Sequence, residues 1–294
     1  MNNDDRNKKK KKKKVAVVTG SSSGIGFETS LLLARNGFYT YATMRTPDKS
    51  KAITNLKQKE KKLSLKILQL DVISDKSVKE AIQNITNEQE RIDVLVNNAG
   101  YALVGPFEEL SIEEFKEQFE TNLFGVIRVT QAVLPIMRRQ RNGTIVNISS
   151  IAGKIGFPLT SAYTSSKFAL EGLSESMAYE IEQFGVRIIL IEPGVIKTNF
   201  NNNLKIGKRV IIDSNSNSPY GEMTQKRISR FKPRFESGTP PIEVAKVILK
   251  AITASESQLS ELRYLVGSDA FKLMEIRNNI SDKEFGKVVI KSVL

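Results

Sequence analysis

The chain contains no cysteine and no histidine in 294 residues. The absence of cysteine excludes disulfides, thiolate metal sites and thiol nucleophiles. The absence of histidine removes the commonest general base and the commonest metal ligand. Acid–base chemistry must therefore fall to Tyr, Lys, Asp or Glu. No run of about 18 apolar residues is present, so no membrane-spanning helix is expected. The opening MNNDDRN and the lysines Lys8–Lys14 offer no apolar core for a signal peptide, and the expected location is cytoplasmic.

What is present fits one large α/β unit. Hydrophobic residues make up 40% and charged residues 26%, enough to build a sizeable core under an ordinary soluble surface. The net charge of +13 is unevenly placed: residues 1–14 hold seven lysines, one arginine and two aspartates, or +6, and the rest carries +7 among many acids. Blocks of like charge are usually solvated, disordered tails. The competing reading is a weak, salt-sensitive anchor for nucleic acid or anionic lipid. Nucleic-acid binding is not expected of residues 15–294, which read as a single domain.

From Val15 to about residue 192, β-branched apolar runs alternate with helical patterns. Val15–Thr19, Phe38–Met44, Leu65–Leu70, Ile92–Val96, Thr144–Ile148 and Val186–Ile191 read as strands. Gly24–Asn36, Lys49–Lys61, Ser74–Thr86, Glu113–Met137 and Tyr163–Phe184 read as helices. Strands without polar alternation are covered on both faces, which predicts a doubly wound, mostly seven-stranded parallel sheet of Rossmann type. Residues 200–238 are polar and rich in Asn, Ser, Gly and Pro, and are expected to be an irregular insertion of about 200–240. A helix over Pro241–Ala254 and a strand near Tyr264–Val266 then complete the core.

The first strand runs into Gly20-Ser21-Ser22-Ser23-Gly24-Ile25-Gly26. Glycines at such a strand–helix turn let the backbone approach a pyrophosphate, and the helix N-terminus holds the anion. The spacing is GxxxGxG and not GxGxxG, so a purely structural turn is the competing reading. An NAD site places a carboxylate about 20 residues further on. Here no acid occurs between Glu28 and Asp48, and the second strand ends at Arg45. An arginine there suits a 2′-phosphate, which favours NADP(H) with NAD(H) still possible; a solvated surface arginine is the alternative.

Tyr163 and Lys167 are four residues apart at the start of a helix, on one face. A cation at about 4 Å could lower a phenol from near 10 by about three units, into working range. With histidine missing, such a pair is a sensible substitute, although YxxxK alone is a weak motif.

Together these segments resemble the short-chain dehydrogenases/reductases. TGSSSGIG (Thr19–Gly26), LQLDV (Leu68–Val72), NNAG (Asn97–Gly100), NISS (Asn147–Ser150), YxxxK and EPG (Glu192–Gly194) occur in the family's order over about residues 15–200. YATMR and YTSSKFALEGLSES look most like the steroid- and retinol-type members. The resemblance implies hydride transfer between NADP(H) and a secondary alcohol or ketone. In it, Tyr163 exchanges the proton, Lys167 tunes Tyr163 and binds the nicotinamide ribose, and Ser150 holds the developing alkoxide. Asn122 organises a water-mediated relay. Strand alternation points Ser149 and Ser150 opposite ways, and family spacing favours Ser150. Asp71 and Val72 lie by the adenine, with a helix N-cap as the alternative for Asp71. Asn98, Ala99 and Gly100 line the adenine and ribose side, and Pro193, Gly194, Val195 and Thr198 border the carboxamide.

Two departures stand out: the lysine tail, and a glycine turn without the extra basic residue of some NADP-preferring members, so cofactor choice rests on Arg45. Family members pair through two long helices, here Glu113–Arg139 and Tyr163–Phe184, which implies a homodimer or homotetramer. Tyr101, Leu103, Val104, Phe107, Phe157 and Phe200 suggest a small apolar substrate, or are packing. A non-catalytic NADP(H) sensor is the second class of reading, but its mark, a degraded Tyr, Lys or Ser, is missing.

Overall fold

The computed structural model describes residues 12–198, 204–210, 218–254 and 261–293. The strands are β1 (Val15–Val18), β2 (Tyr39–Met44), β3 (Leu65–Gln69), β4 (Val94–Asn97), β5 (Leu103–Val104), β6 (Gly143–Ile148), β7 (Val186–Pro193), β8 (Lys205–Ile206) and β9 (Arg263–Val266). The helices are α1 (Gly24–Arg35), α2 (Lys51–Lys59), α3 (Asp75–Gln89), α4 (Ile112–Phe119), α5 (Gly125–Gln140), α6 (Ser161–Ile181), α7 (Gly221–Glu236), α8 (Pro241–Thr253), α9 (Ser268–Asn279) and α10 (Asp282–Val293). Seven strands form one parallel sheet in the order β3-β2-β1-β4-β6-β7-β9.

The apolar strands are sorted residue by residue onto two cores. Val15, Val17, Leu95, Ile145 and Ile188 face a cluster supplied by Val78 and Ile82 of α3 and Val129 and Val133 of α5. Their neighbours Ala16, Val18, Val94, Val146 and Ile189 face the other side, against Leu33 of α1 and Val244, Ile248 and Ile252 of α8. Every side chain of β1, β4 and β6 is buried. Each buried Val, Leu or Ile contributes roughly 1.5–3 kcal/mol, so neither face tolerates the polar alternation of a half-exposed sheet.

The winding reverses between β1 and β4, which lie side by side although β2 and β3 intervene in sequence. A crevice opens outside the carboxyl ends of strands at such a switch point. Beneath it, Asn97 Nδ2 donates to Asn147 Oδ1 at 2.9 Å and to Thr130 Oγ1 at 3.1 Å, and Asn147 Nδ2 donates to Ser174 Oγ at 2.9 Å. This buried chain fixes β4, β6, α5 and α6 against one another.

Two expectations need correcting. Residues 200–238 are not irregular throughout, because α7 lies within them. Its Pro233, which reads as a breaker, sits in the last turn, where little helix remains to be disrupted. The helix expected over Glu113–Met137 is α4 and α5 joined through a π-helical turn at Glu120–Phe124. A small second sheet pairs β5 with β8. Of the basic tail, residues 1–11 lie outside the described part. Lys14 already belongs to the fold, its carbonyl accepting Tyr39 N–H at 2.8 Å.

Candidate active site

The carboxyl ends of the strands open into a cleft of about 1090 Å³. A single-ligand pocket usually measures roughly 300–1,000 Å³, so there is room for a dinucleotide and a second molecule. The cleft starts at the glycine turn. Gly20 adopts φ +67°, a left-handed conformation that side chains rarely take, and a Cβ there would come within 2.8 Å of Ala99 Cα. At Gly26 a Cβ would meet Asn98 Nδ2 at 2.4 Å and Gly20 O at 2.6 Å, so only glycine lets α1 pack this close to the turn.

The same turn is braced from β4. Thr19 Oγ1 accepts the backbone N–H groups of Asn98 (2.9 Å) and Ala99 (3.1 Å), and Asn98 Nδ2 donates to the carbonyls of Thr19 (2.9 Å) and Gly20 (3.1 Å). The Asn98 amide is thus engaged in holding the turn as well as lining the cleft. The N-cap Ser23 makes no side-chain cap bond, and the first turn of α1 carries no acid. Its N–H groups are left for an anion.

Along the cleft wall lie Gly20, Ser22, Ser23, Gly24 and Ile25 from the turn, Arg45 after β2, and Asp71 and Val72 after β3. Asn98, Ala99 and Gly100 follow β4, Ser150 follows β6, and Pro193, Gly194, Val195 and Thr198 come from the end of β7 and beyond. Tyr163 and Lys167 face the cleft from α6. Gly26 and Asn122 stand one layer behind. Asp71 is not a helix cap: Ser74 caps α3, accepting Ser77 N–H at 3.2 Å, and Asp71 Oδ1 instead accepts Ile73 N–H at 3.3 Å. Arg45 is exposed, and no carboxylate of the described residues pairs with it.

The reacting groups converge where β6 ends. Tyr163 is hydrogen-bonded to the Ser150 hydroxyl, whose oxygen also accepts Ala152 N–H at 3.1 Å. Ser149 is only 3% exposed and packs against Gly153. Lys167 donates to the Ile148 carbonyl at 2.7 Å, and its ammonium stands 5.9 Å from the Tyr163 ring centre. Burial pulls the Lys167 ammonium down to about 8, against a smaller upward pull from the Glu171 carboxylate. Burial likewise raises the Tyr163 phenol, with the Ser150 hydrogen bond acting against it. Spacing alone suggested that the cation would bring the phenol down. With the ammonium held by a carbonyl, burial is the larger effect on the phenol.

Asn122 occupies the π-helical turn, 1% exposed. Its Oδ1 accepts Tyr101 N–H at 3.1 Å, and its Nδ2 donates to the Tyr101 carbonyl at 3.0 Å and to Ser166 Oγ at 3.3 Å. A π-turn marks functional sites often, and this one ties the cleft floor to the helix carrying Tyr163.

Some wall residues were not foreseen. Asp269 of α9 lines the cleft and accepts Val195 N–H at 2.8 Å, fixing the segment after β7. Arg227, Arg234 and Phe235 of α7 also line it. Their only sequence signal was the seven-residue spacing of the arginines, masked by reading the region as irregular. Of the apolar candidates, Tyr101, Val104 and Phe157 line the cleft. Leu103 is core, Phe107 is 73% exposed, and Phe200 lies outside the described residues.

A doubly wound sheet with a glycine-turn cradle and a Tyr–Ser–Lys cluster at its switch point is the architecture of a Rossmann-type oxidoreductase. The short chain dehydrogenase model matches residues 14–209, and the chain belongs to that family. YusZ of Bacillus subtilis, described as an uncharacterized oxidoreductase, is 40% identical over 85% of this chain and 87% of its own. Retinol dehydrogenase 8 of Bos taurus is 37% identical over 82% of this chain and 78% of its own. Among solved structures, an alcohol dehydrogenase of the archaeon Thermococcus sibiricus complexed with 5-hydroxy-NADP is 28% identical, with a TM-score of 0.69, covering 87% of this chain and 96% of that one. The chain therefore lies near the retinol-dehydrogenase-like members. No helix among the described residues is long and apolar enough to cross a membrane.

Proposed function

We propose that the chain is an NADP(H)-dependent oxidoreductase interconverting a ketone and a secondary alcohol, with NAD(H) as the poorer cofactor. The observation that carries this reading is the Tyr163–Ser150 hydrogen bond at the carboxyl end of β6, facing the same cleft as the glycine turn. The cradle suits a dinucleotide: Gly20 and Gly24 take left-handed conformations at its floor, and the uncapped N-terminus of α1 faces a diphosphate. The exposed Arg45 offers a forked cation to a 2′-phosphate. The NADP-type ligand bound to the archaeal relative favours the same choice.

When bound, the reduced nicotinamide supplies the hydride for the carbonyl carbon. The chain's own groups manage the oxygen. Ser150 donates to it as negative charge builds, a term that is largest when the donor is fixed in advance. Tyr163 gives up its Oη proton to the new alkoxide, and a phenol raised by burial is still protonated and ready for that step near neutral pH. Lys167, cationic below about pH 8, stabilises the phenolate left behind. Asn122 holds Tyr101 and Ser166 around it, and the family resemblance assigns it the organisation of a water-mediated relay through the lysine. In alcohol oxidation each transfer reverses.

Pairing of two copies through α4–α5 and α6 goes with this reading, supported by exposed Ile112, Phe124, Phe168 and Tyr179.

The test is a calorimetric titration of NADPH against NADH, on wild type and Arg45→Ala. NADPH preference that falls about tenfold or more in the variant supports the assignment. Stronger NADH binding would remove the role given to Arg45, and binding of neither cofactor would overturn the enzyme reading.

A further inference from the structure

At the side of the cleft away from Arg45, the wall is made of backbone. Pro193, Gly194 and Val195 line it where β7 finishes. Gly194 N–H reaches the Val266 carbonyl at 2.9 Å, and Val195 N–H reaches Asp269 Oδ2 at 2.8 Å. Thr239 gives its N–H to the Val195 carbonyl and takes the N–H of Lys197, each at 2.9 Å. Of these bonds, only the one to Asp269 uses a side chain, so it is the one that a substitution can remove.

Asp269 belongs to the first turn of α9, where any carboxylate is favoured by the helix dipole. Its presence there is therefore no argument, but its aim is. α9 has no side-chain cap, and the Asp269 carboxylate crosses instead to the segment after β7. It occupies a slot between two glycines. A Cβ on Gly194 would strike the carboxylate itself, and one on Gly267, whose φ is +103°, would come within 2.7 Å of Oδ1. The slot is anchored from below by the next residue, Ala270, which is fully buried in one cluster with Ile151 and Ile155, just beyond Ser150. Asp269 also lines the cleft. Four strand steps separate β2, which precedes Arg45, from β7. That is roughly 19 Å at about 4.8 Å a step, so a change at Asp269 is out of reach of the Arg45 end.

We propose that Asp269 is a positioning residue for the nicotinamide half of the dinucleotide. It holds the Val195 N–H by a charge-assisted bond and fills the slot beside Gly194, and so sets the wall against which that half of the cofactor lies. The adenine half is held independently, by the glycine turn and Arg45. The proposal rests on the NADP(H) reading above and on the resemblance that sets the carboxamide beside Pro193, Gly194 and Val195. Displacement of a reacting group by about 1 Å can cost on the order of 10²-fold in rate, which is why a residue one layer from the ring matters to hydride transfer.

The experiment is a calorimetric comparison of NADP⁺ with 2′,5′-ADP, which carries the adenine half and its 2′-phosphate but no nicotinamide. Asp269→Ala is expected to weaken NADP⁺ by about tenfold or more, as loss of a charge-assisted hydrogen bond allows, and to leave 2′,5′-ADP within about twofold. Asp269→Asn keeps the shape and an acceptor for Val195 N–H, and is expected to lose only about fivefold for NADP⁺. Arg45→Ala is the mirror control, weakening both ligands alike. Melting curves show which variants fold; if Asp269→Ala does not, the Asp269→Asn comparison decides alone. Equal losses for NADP⁺ and 2′,5′-ADP in the Asp269 variants would overturn the proposal, since the role would then be structural. Unchanged NADP⁺ affinity would overturn it too. If wild type prefers NAD⁺, the NADP(H) reading fails by itself, and NAD⁺ against ADP makes the same comparison for Asp269. Wild type that binds no dinucleotide rejects both.

Discussion

The Lys167 ammonium donates to the backbone carbonyl of Ile148 at 2.7 Å, so the helix that carries the tyrosine is fastened to the last residue of β6. The bond anchors a buried cation that would otherwise be poorly solvated, and it fixes the distance between α6 and the strand end that presents Ser150.

A stability prediction follows from the sign of the shift. The Lys167 ammonium falls from 10.5 to about 8 on folding. The folded state therefore disfavours the charged form, and the destabilisation is complete below pH 8 and vanishes as pH rises through 8 to 10.5. Lys167→Met is expected to abolish turnover yet raise stability at pH 7, by at most about 3 kcal/mol. The lost hydrogen bond to Ile148 offsets about 1 kcal/mol of that. Melting temperatures across pH 7 to 10.5 check it: a gain that stays constant over this range would sink the account.

Glu192 behaves in the opposite sense. Its carboxyl is 3% exposed and is raised to about 7, by burial first and then by the neighbouring Glu171 carboxylate. Stability from this site is present below pH 4.5 and is lost as pH rises through 7. Glu192→Gln is expected to stabilise the protein at pH 8, by up to about 3 kcal/mol, and to do nothing at pH 4. Denaturant midpoints at the two pH values decide, and equal shifts at both would contradict the prediction.

At Gly26 the added methyl of alanine has nowhere to go, since it lands on Asn98 Nδ2 and the Gly20 carbonyl. Gly26→Ala should cost about 1–3 kcal/mol of stability by overpacking. It should also weaken NADPH binding, because the turn must shift. Unchanged melting and unchanged affinity together would show that the turn is more pliable than the contacts imply.

Asn122→Ala leaves the Tyr101 N–H without its acceptor, while the Tyr101 carbonyl keeps the Gln118 amide at 2.9 Å. The expected loss is about 1–3 kcal/mol, with kcat reduced and NADPH affinity kept. A fall in NADPH affinity at constant kcat would move Asn122 from the proton side of the site to the cofactor side.

Much of this architecture can be read from the sequence because it depends on local spacing. The strand ends read at Met44, Leu70 and Val96 fall within one residue of the observed Met44, Gln69 and Asn97 because apolar runs mark them, and the glycine turn follows from its own backbone demands. Tyr163 and Lys167 fall on one face because helix geometry makes them. What spacing does not carry is distance between segments. The competition between burial and charge at Tyr163 depends on where β6 ends, and the engagement of the Asn98 amide depends on how closely α1 approaches. Asp269 reaches Val195 from 74 residues downstream, with no local pattern to announce it. α7 is hidden for a different reason: its polar composition and Pro233 imitate a loop, and three of its residues, Arg227, Arg234 and Phe235, line the cleft only once the chain is folded.

One connection after β7 has a practical consequence. A parallel bridge joins Ile196 to Thr239, with Lys197 N–H on the Thr239 carbonyl and Thr239 N–H on the Val195 carbonyl, each at 2.9 Å. The chain leaves the Rossmann body and returns to it at almost the same point, and loop-closure entropy changes only slowly with the length between such pinned ends. The ends of this stretch are therefore pinned together independently of what lies between them. Transplanting the corresponding stretch of a relative beyond Thr198, which borders the glycine turn, should change which molecule the cleft accepts while the sheet and the Tyr163–Lys167 pair stay as they are, a modularity by which one scaffold can diversify without being rebuilt.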